Sequence, residues 1–139
     1  MSEPLHFHTI SQLAPLIELG ALSPVDLTQQ MLDRIDLRDG ELHAYVTVLH
    51  EQAMRDAHAA HREIEAGRYR GPLHGVPIAV KDLCFTAGVP TMGGCQVLAN
   101  HVPRFDATVV SRLYDAGAIL LGKLNLTEGA MAGYNPAFQ

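Results

Sequence analysis

The chain has 139 residues, enough for one domain or part of one, and 47% of them are hydrophobic against 18% charged, so a buried core is within reach and disorder is not expected. A net charge of −5 leaves no basic footprint, which argues against nucleic acid as a direct partner. The opening residues Met1-Ser2-Glu3-Pro4-Leu5-His6 lack the basic start and apolar run of a signal peptide, and no stretch reaches membrane-spanning length. Two cysteines, Cys84 and Cys95, are too few for a disulfide framework and suit a reducing cytoplasm.

In chain order, Thr9 to Leu19 places Ile10, Leu13, Ala14 and Ile17 at helical spacing, with Gly20 as its stop and Pro15 as an interruption. Ser23 caps a second helix, Pro24 suits its first position and Asp26 follows three residues after the cap. Leu27, Met31, Leu32 and Ile35 form its apolar face, and Asp39-Gly40 supplies turn chemistry to end it. Ala44 to Leu49 is β-branched and aromatic and predicts a strand. A third helix is expected from about Glu51 to Ala66, with Ala53, Ala57, Ala60 and Ile64 on one side.

The character changes at Gly71. Gly71 to Gly75 predicts a loop, and Val76 to Val80 a short strand buried on both faces, ending at Lys81-Asp82. Val89 to Val102 is glycine-rich and predicts a loop. Asp106 is placed to cap a helix with Val109, Val110 and Leu113 inward, stopped by Gly117. Ala118 to Leu121 predicts a second buried strand, and Asn125 with Glu128 a short helix start. Tyr134 to Gln139 closes no element. Strand, loop, helix, strand is the rhythm of a sheet with helices packed on it, so the expected class is α/β: a mixed sheet covered by helices, with a mainly helical region over about 1–70 and the start of an α/β core over about 71–139.

Several side chains could carry chemistry. Lys81 ends an apolar strand, where partial desolvation favours a neutral amine able to act as a base or nucleophile. Lys123 follows the equally apolar Ile119-Leu-Leu-Gly122, and position alone does not rank one lysine above the other. No nucleophile stands out: Ser2, Ser11, Ser23 and Ser111 lack the glycine-flanked turn of an exposed catalytic hydroxyl, and Cys84 and Cys95 fit better as small core residues. His58, His61 and Glu65 have metal-compatible helical spacing but no His-Glu-x-x-His pattern, so an exposed polar helix face is the better account and no metal is expected.

Four blocks in order resemble the amidase signature family: Gly71-Pro-Leu-His-Gly-Val-Pro-Ile-Ala-Val-Lys-Asp82, Gly88-Val-Pro-Thr91, Phe105-Asp-Ala-Thr-Val-Val110 and Ala116-Gly-Ala-Ile-Leu-Leu-Gly-Lys-Leu-Asn125. A weaker likeness extends to Leu22-Ser-Pro-Val-Asp26. The resemblance implies an N-terminal portion of one amidase signature domain. It implies a hydrolase that converts a carboxamide to a carboxylate and ammonia or an amine through a Ser–cis-Ser–Lys triad. It makes Lys81 the catalytic base, gives Lys123 a structural role whose loss spares the chemistry, and puts both serines beyond Gln139. Leu126-Thr-Glu-Gly-Ala-Met-Ala132 replaces the Asp-Glu-Phe-Ala-Met pattern typical of the glutamine-hydrolysing component of glutamyl-tRNA amidotransferase and looks more like free-standing bacterial amidases. The family's substrate approaches this segment, so Ala130 and Met131 become candidate substrate-binding residues. Their alternative is core packing at a helix start. The alternative functions are that amidotransferase component, or a truncated non-catalytic module. No cofactor is implied. The expected partner is a small-molecule amide rather than nucleic acid or membrane, with homo-oligomerisation left open and a cytoplasmic location.

For base chemistry at Lys81, the Asp82 carboxylate must face away, and adjacent strand residues do point to opposite sides.

Overall fold

A computed structural model describes residues 4–131. Its main elements are α1 (Ile10–Glu18), α2 (Pro24–Leu42), β1 (Tyr45–Val48), α3 (His50–Glu65), β2 (Pro77–Lys81), α4 (Thr108–Asp115) and β3 (Ile119–Leu124). Single 3₁₀ turns occur at Leu5–Phe7, Gln96–Leu98 and Glu128–Ala130. The strand order is β1-β3-β2, with β1 antiparallel and β2 parallel to β3. A mixed sheet covered by helices is therefore what this sequence forms, as its α/β pattern predicts.

The alternation along β3 explains the layers. Ile119 and Leu121 face α2 and α3, packing with Leu32, Ala53, Ala57 and Ala60. Leu120, between them, faces the other side and meets Val80 and Val110, the latter on α4. Burying one such Ile or Leu stabilises the fold by about 1.5–3 kcal/mol. The alanine stripe of α3 has no long side chains, so that helix sits close to the sheet. A third cluster ties α1 to α2 and the entrance of β2 through Leu13, Ile17, Leu27 and Val76.

The helix starts follow local chemistry. The Gln12 side chain accepts a hydrogen bond from Thr9 N–H at 2.7 Å, and Ser23 Oγ accepts from Val25 N–H at 3.2 Å. Pro15 is accommodated inside α1. Gly20, at φ +69°, turns the chain out of α1.

Five expectations need correction, the first being that Val109 of α4 faces inward, since it is half-exposed and Val110 is the buried residue of that helix. Helix α2 does not stop at Asp39-Gly40 but runs to Leu42, closed by His43 in the left-handed region at φ 49°. Asp39 stays helical and uses its carboxylate to accept from Ala44 N–H at 2.8 Å, fixing the exit instead of making it. Asp106 is not the cap of α4: Ala107 holds that position, and Asp106 Oδ1 accepts from Ala87 N–H at 2.7 Å, pinning the preceding loop. Asn125 and Glu128 build no capping box. Asn125 donates to His43 O, and only the turn Glu128–Ala130 forms. Finally, Val76–Val80 is not buried on both faces. Among the described residues β2 pairs only with β3, leaving Pro77, Ile78 and Ala79 half-buried. Tyr134 to Gln139 lies outside the described residues.

Strand β3 also runs past Leu121, through Gly122 and Lys123. At Gly122 a Cβ would collide with the Thr47 carbonyl of β1, so glycine is what lets the two strands pair there.

Candidate active site

Lys81 is the last residue of β2 and its side chain is exposed. It forms no ion pair among the described residues. Asp82, its neighbour, is turned inward and is 2% exposed. Its backbone continues the ladder, Asp82 N–H donating to Leu124 O at 2.9 Å. Its carboxylate Oδ2 accepts from Met92 N–H at 2.9 Å, and Oδ1 lies 3.2 Å from Lys123 Nζ. That last approach is an ion pair without hydrogen-bond alignment, since Oδ1 lacks an aligned donor. Asp82 thus faces backbone N–H and not Lys81, as expected, whereas the expected desolvation of Lys81 is not seen: its side chain is exposed among the described residues. The partner lysine was not legible in the sequence.

Lys123 is wholly buried, and Nζ donates to Thr91 Oγ1 at 2.7 Å. Thr91 Oγ1 in turn donates to Val89 O at 3.2 Å. Spacing alone did not distinguish the two lysines. The fold does: one is open to solvent at a strand end, the other is inside, paired and hydrogen-bonded.

Two backbone hydrogen bonds lead from Asp82 to the segment holding Ala130 and Met131. Gly93 N–H donates to Asp82 O at 3.0 Å, and Gly129 N–H donates to Gly93 O at 2.9 Å. Gly94 permits this contact, because a Cβ there would lie 2.9 Å from Thr127 O and 3.0 Å from Glu128 N. Ala130 is exposed and sits in the left-handed region at φ 57°, and Met131 is 92% exposed, so neither packs in a core among the described residues. Ser23 is a helix cap and Ser111 lies in α4, as expected of serines without a nucleophile setting. Cys84 and Cys95 are half-buried free thiols. His61 pairs with Glu65 at 3.4 Å on the exposed side of α3.

A second polar cluster, not singled out in the sequence, lies at the opposite end of the sheet, where β3 begins. His74 is 1% exposed; its Nδ1 accepts from Arg70 N–H at 3.1 Å and its Nε2 lies 3.3 Å from Glu63 Oε2. Arg70 grips Glu63 with two hydrogen bonds, at 2.9 and 2.8 Å. Gly117, at φ +82°, passes so close to the His74 ring that a Cβ would overlap it. A glycine-flanked histidine before an apolar run was the available signal. Nearby, Tyr114 is pushed up to about 12, first by burial and then by the Asp106 charge.

Burial, and secondarily the Arg70 charge, lowers the His74 pKa below its ordinary value, with Glu63 opposing. The Arg70 hydrogen bond holds the Glu63 carboxyl low. A depressed histidine contributes stability that is complete above its unfolded value of ~6.5 and is lost as pH falls towards the folded value. A depressed carboxyl adds a loss at still lower pH. Thermal midpoints of the protein carrying this chain should therefore fall between pH 7.5 and pH 5.5, and the slope should flatten in His74→Gln. An equal slope in both proteins would refute the assignment.

With this geometry in hand, comparison with known proteins decides the family. The Amidase family profile matches residues 26–137. The chain belongs to the amidase family. It is 44% identical over 128 residues to the amidase-family protein AmiD of Mycobacterium tuberculosis, which covers 92% of this chain and 27% of AmiD. It is 42% identical over 127 residues to the A-type component of the Geobacter glutamyl-tRNA(Gln) amidotransferase, covering 91% of this chain and 26% of that relative. Among solved structures, the native peptide amidase of Stenotrophomonas maltophilia superposes with a TM-score of 0.84 at 38% identity, over 90% of this chain and 26% of the peptide amidase. A bacterial aryl acylamidase of the amidase signature family gives 0.83 at 27% identity over 91% of this chain and 27% of the acylamidase. The chain spans about 27% of the length of the curated relatives it matches. None of its described helices is long and apolar enough to cross a membrane.

Proposed function

We propose that residues 1–139 form the N-terminal part of a single amidase signature domain that hydrolyses a small carboxamide to a carboxylate and ammonia or an amine, in the cytoplasm, with Lys81 as the base. The observation that carries this reading is the inward turn of Asp82. Its carboxylate is occupied by Met92 N–H and Lys123, so Lys81 is presented at the strand end without an acidic partner among the described residues. A neutral amine there takes the proton of a bridging serine, which takes that of a nucleophilic serine as it attacks the amide carbonyl. The departing nitrogen receives the proton, and water then releases the carboxylate. Both serines are assigned to sequence after Gln139. Ala130 and Met131 flank the substrate, supported by the hydrogen-bonded path from Asp82 through Gly93 to Gly129. The reaction as written calls for no metal or cofactor.

The reading predicts that the 139-residue chain alone hydrolyses no amide at a catalysed rate, while the longer protein does. Release of ammonia or amine from a panel of carboxamides checks both. A purified 139-residue chain that turns over amides, and loses the activity on Lys81→Ala, would sink the division of labour.

The likeness to the Geobacter amidotransferase component supports a second reading, release of ammonia from glutamine inside a tRNA-dependent complex. Glutamine hydrolysis that appears only with partner proteins would favour it. The segment Leu126–Ala132, unlike the Asp-Glu-Phe-Ala-Met pattern of that component, favours the free-standing enzyme.

A further inference from the structure

Asp82, the residue after Lys81, and Lys123, opposite Val80 on β3, form a buried pair. The carboxylate follows Lys81 in the chain and is 2% exposed; the ammonium is fully buried on β3, where it pairs in register with Val80, the residue before Lys81. Asp82 is held at four points: N–H to Leu124 O, O from Gly93 N–H, Oδ2 from Met92 N–H, and Oδ1 against Lys123 Nζ. The ammonium is held again by Thr91. Two loops, around Thr91–Gly93 and Thr127–Gly129, are tied to this pair. Replacing a buried ion pair by apolar residues is often neutral or stabilising, so its presence needs a reason besides stability.

We propose that Asp82 and Lys123 are positioning residues for Lys81. Each cancels the other's charge beside the reacting amine, and together they fix the strand end that carries it. The proposal rests on the reading of Lys81 as the base. An uncancelled Asp82 carboxylate would favour the protonated amine, and an uncancelled Lys123 ammonium would favour the neutral one. Among the described residues, the other titratable or charged side chains on the adjoining segments are Cys84, Cys95, His101, Arg104 and Asp106, on the loop after β2, and Glu128, on the turn packed against Gly94, and none is altered by the variants below.

The test is the pH dependence of kcat and KM in the full-length protein for Lys123→Met and Asp82→Asn, each confirmed as folded by a cooperative melt. The acidic limb of kcat/KM is expected to move to higher pH in Lys123→Met and to lower pH in Asp82→Asn, each by about 1 pH unit. KM should change less than kcat. Asp82→Asn keeps an amide oxygen that can accept from Met92 N–H but leaves the Lys123 ammonium without its carboxylate; if only one of the two variants folds, a limb that stays put or moves against its expected direction in that variant overturns the proposal. Limbs that stay put, or move in the same direction, overturn the proposal, because a merely structural pair has no reason to move them in opposite senses. Lys81→Ala separates the two readings: if it keeps turnover, the base assignment fails; if it is inactive while the limbs stay put, only the positioning role fails.

Discussion

Replacing Lys81 by alanine in the full-length protein is expected to lower kcat for amide hydrolysis by about a thousandfold or more, within the range that general acid–base groups supply. The fold should be little affected. Lys81 makes no ion pair among the described residues, so its removal strands no buried charge there. Its backbone role survives in alanine: Lys81 O still accepts from Cys84 N–H, and the β2–β3 register is set by main-chain groups. Loss of turnover with an unchanged melting temperature is the signature of a residue that acts on the reaction. The measurement is steady-state kinetics beside a thermal melt. Near-normal turnover in folded Lys81→Ala would remove the base from the mechanism.

What was legible in the sequence was whatever periodicity and local chemistry govern. The Ser23-Pro24 start of α2, the alanine stripe of α3 and the apolar run of β3 all appear where their patterns put them. What was not legible depends on contacts between distant residues. Asp39 and Asp106 both carry turn or cap chemistry, yet each spends its carboxylate on a backbone N–H of a neighbouring loop. Gly122 reads as the end of an apolar run, but the approach of Thr47 from β1 makes it the middle of a strand. The same limit applied to the two lysines. Both follow apolar runs, and only the 82–92 loop folding back over β3 brings Asp82 and Thr91 to Lys123 while leaving Lys81 outside. The family resemblance implies different roles for them, which periodicity did not, and the fold gives them different surroundings, one exposed and the other buried.

Lys123→Ala is expected to act first on stability, the opposite balance from Lys81→Ala. Lys123 Nζ is fully buried, bonded to Thr91 and paired with a carboxylate that is itself 2% exposed. Truncation removes the cation and leaves Asp82 charged in the interior with Met92 N–H as its remaining aligned donor. Breaking a buried pair from one side costs about 3–5 kcal/mol, because the orphaned charge keeps its desolvation penalty. The vacated space under Thr91 adds to the loss. Removing both charges is a different experiment. Lys123→Met with Asp82→Asn leaves no buried ion, and its melting temperature should recover most of what Lys123→Ala loses. Thermal or urea melts of the three proteins decide it. A Lys123→Ala protein that melts with the unmodified one would mean that water reaches Asp82 and that the pair is not buried in the full-length protein. A double variant no more stable than Lys123→Ala would mean that the loss comes from packing around the lysine stem, not from the stranded charge.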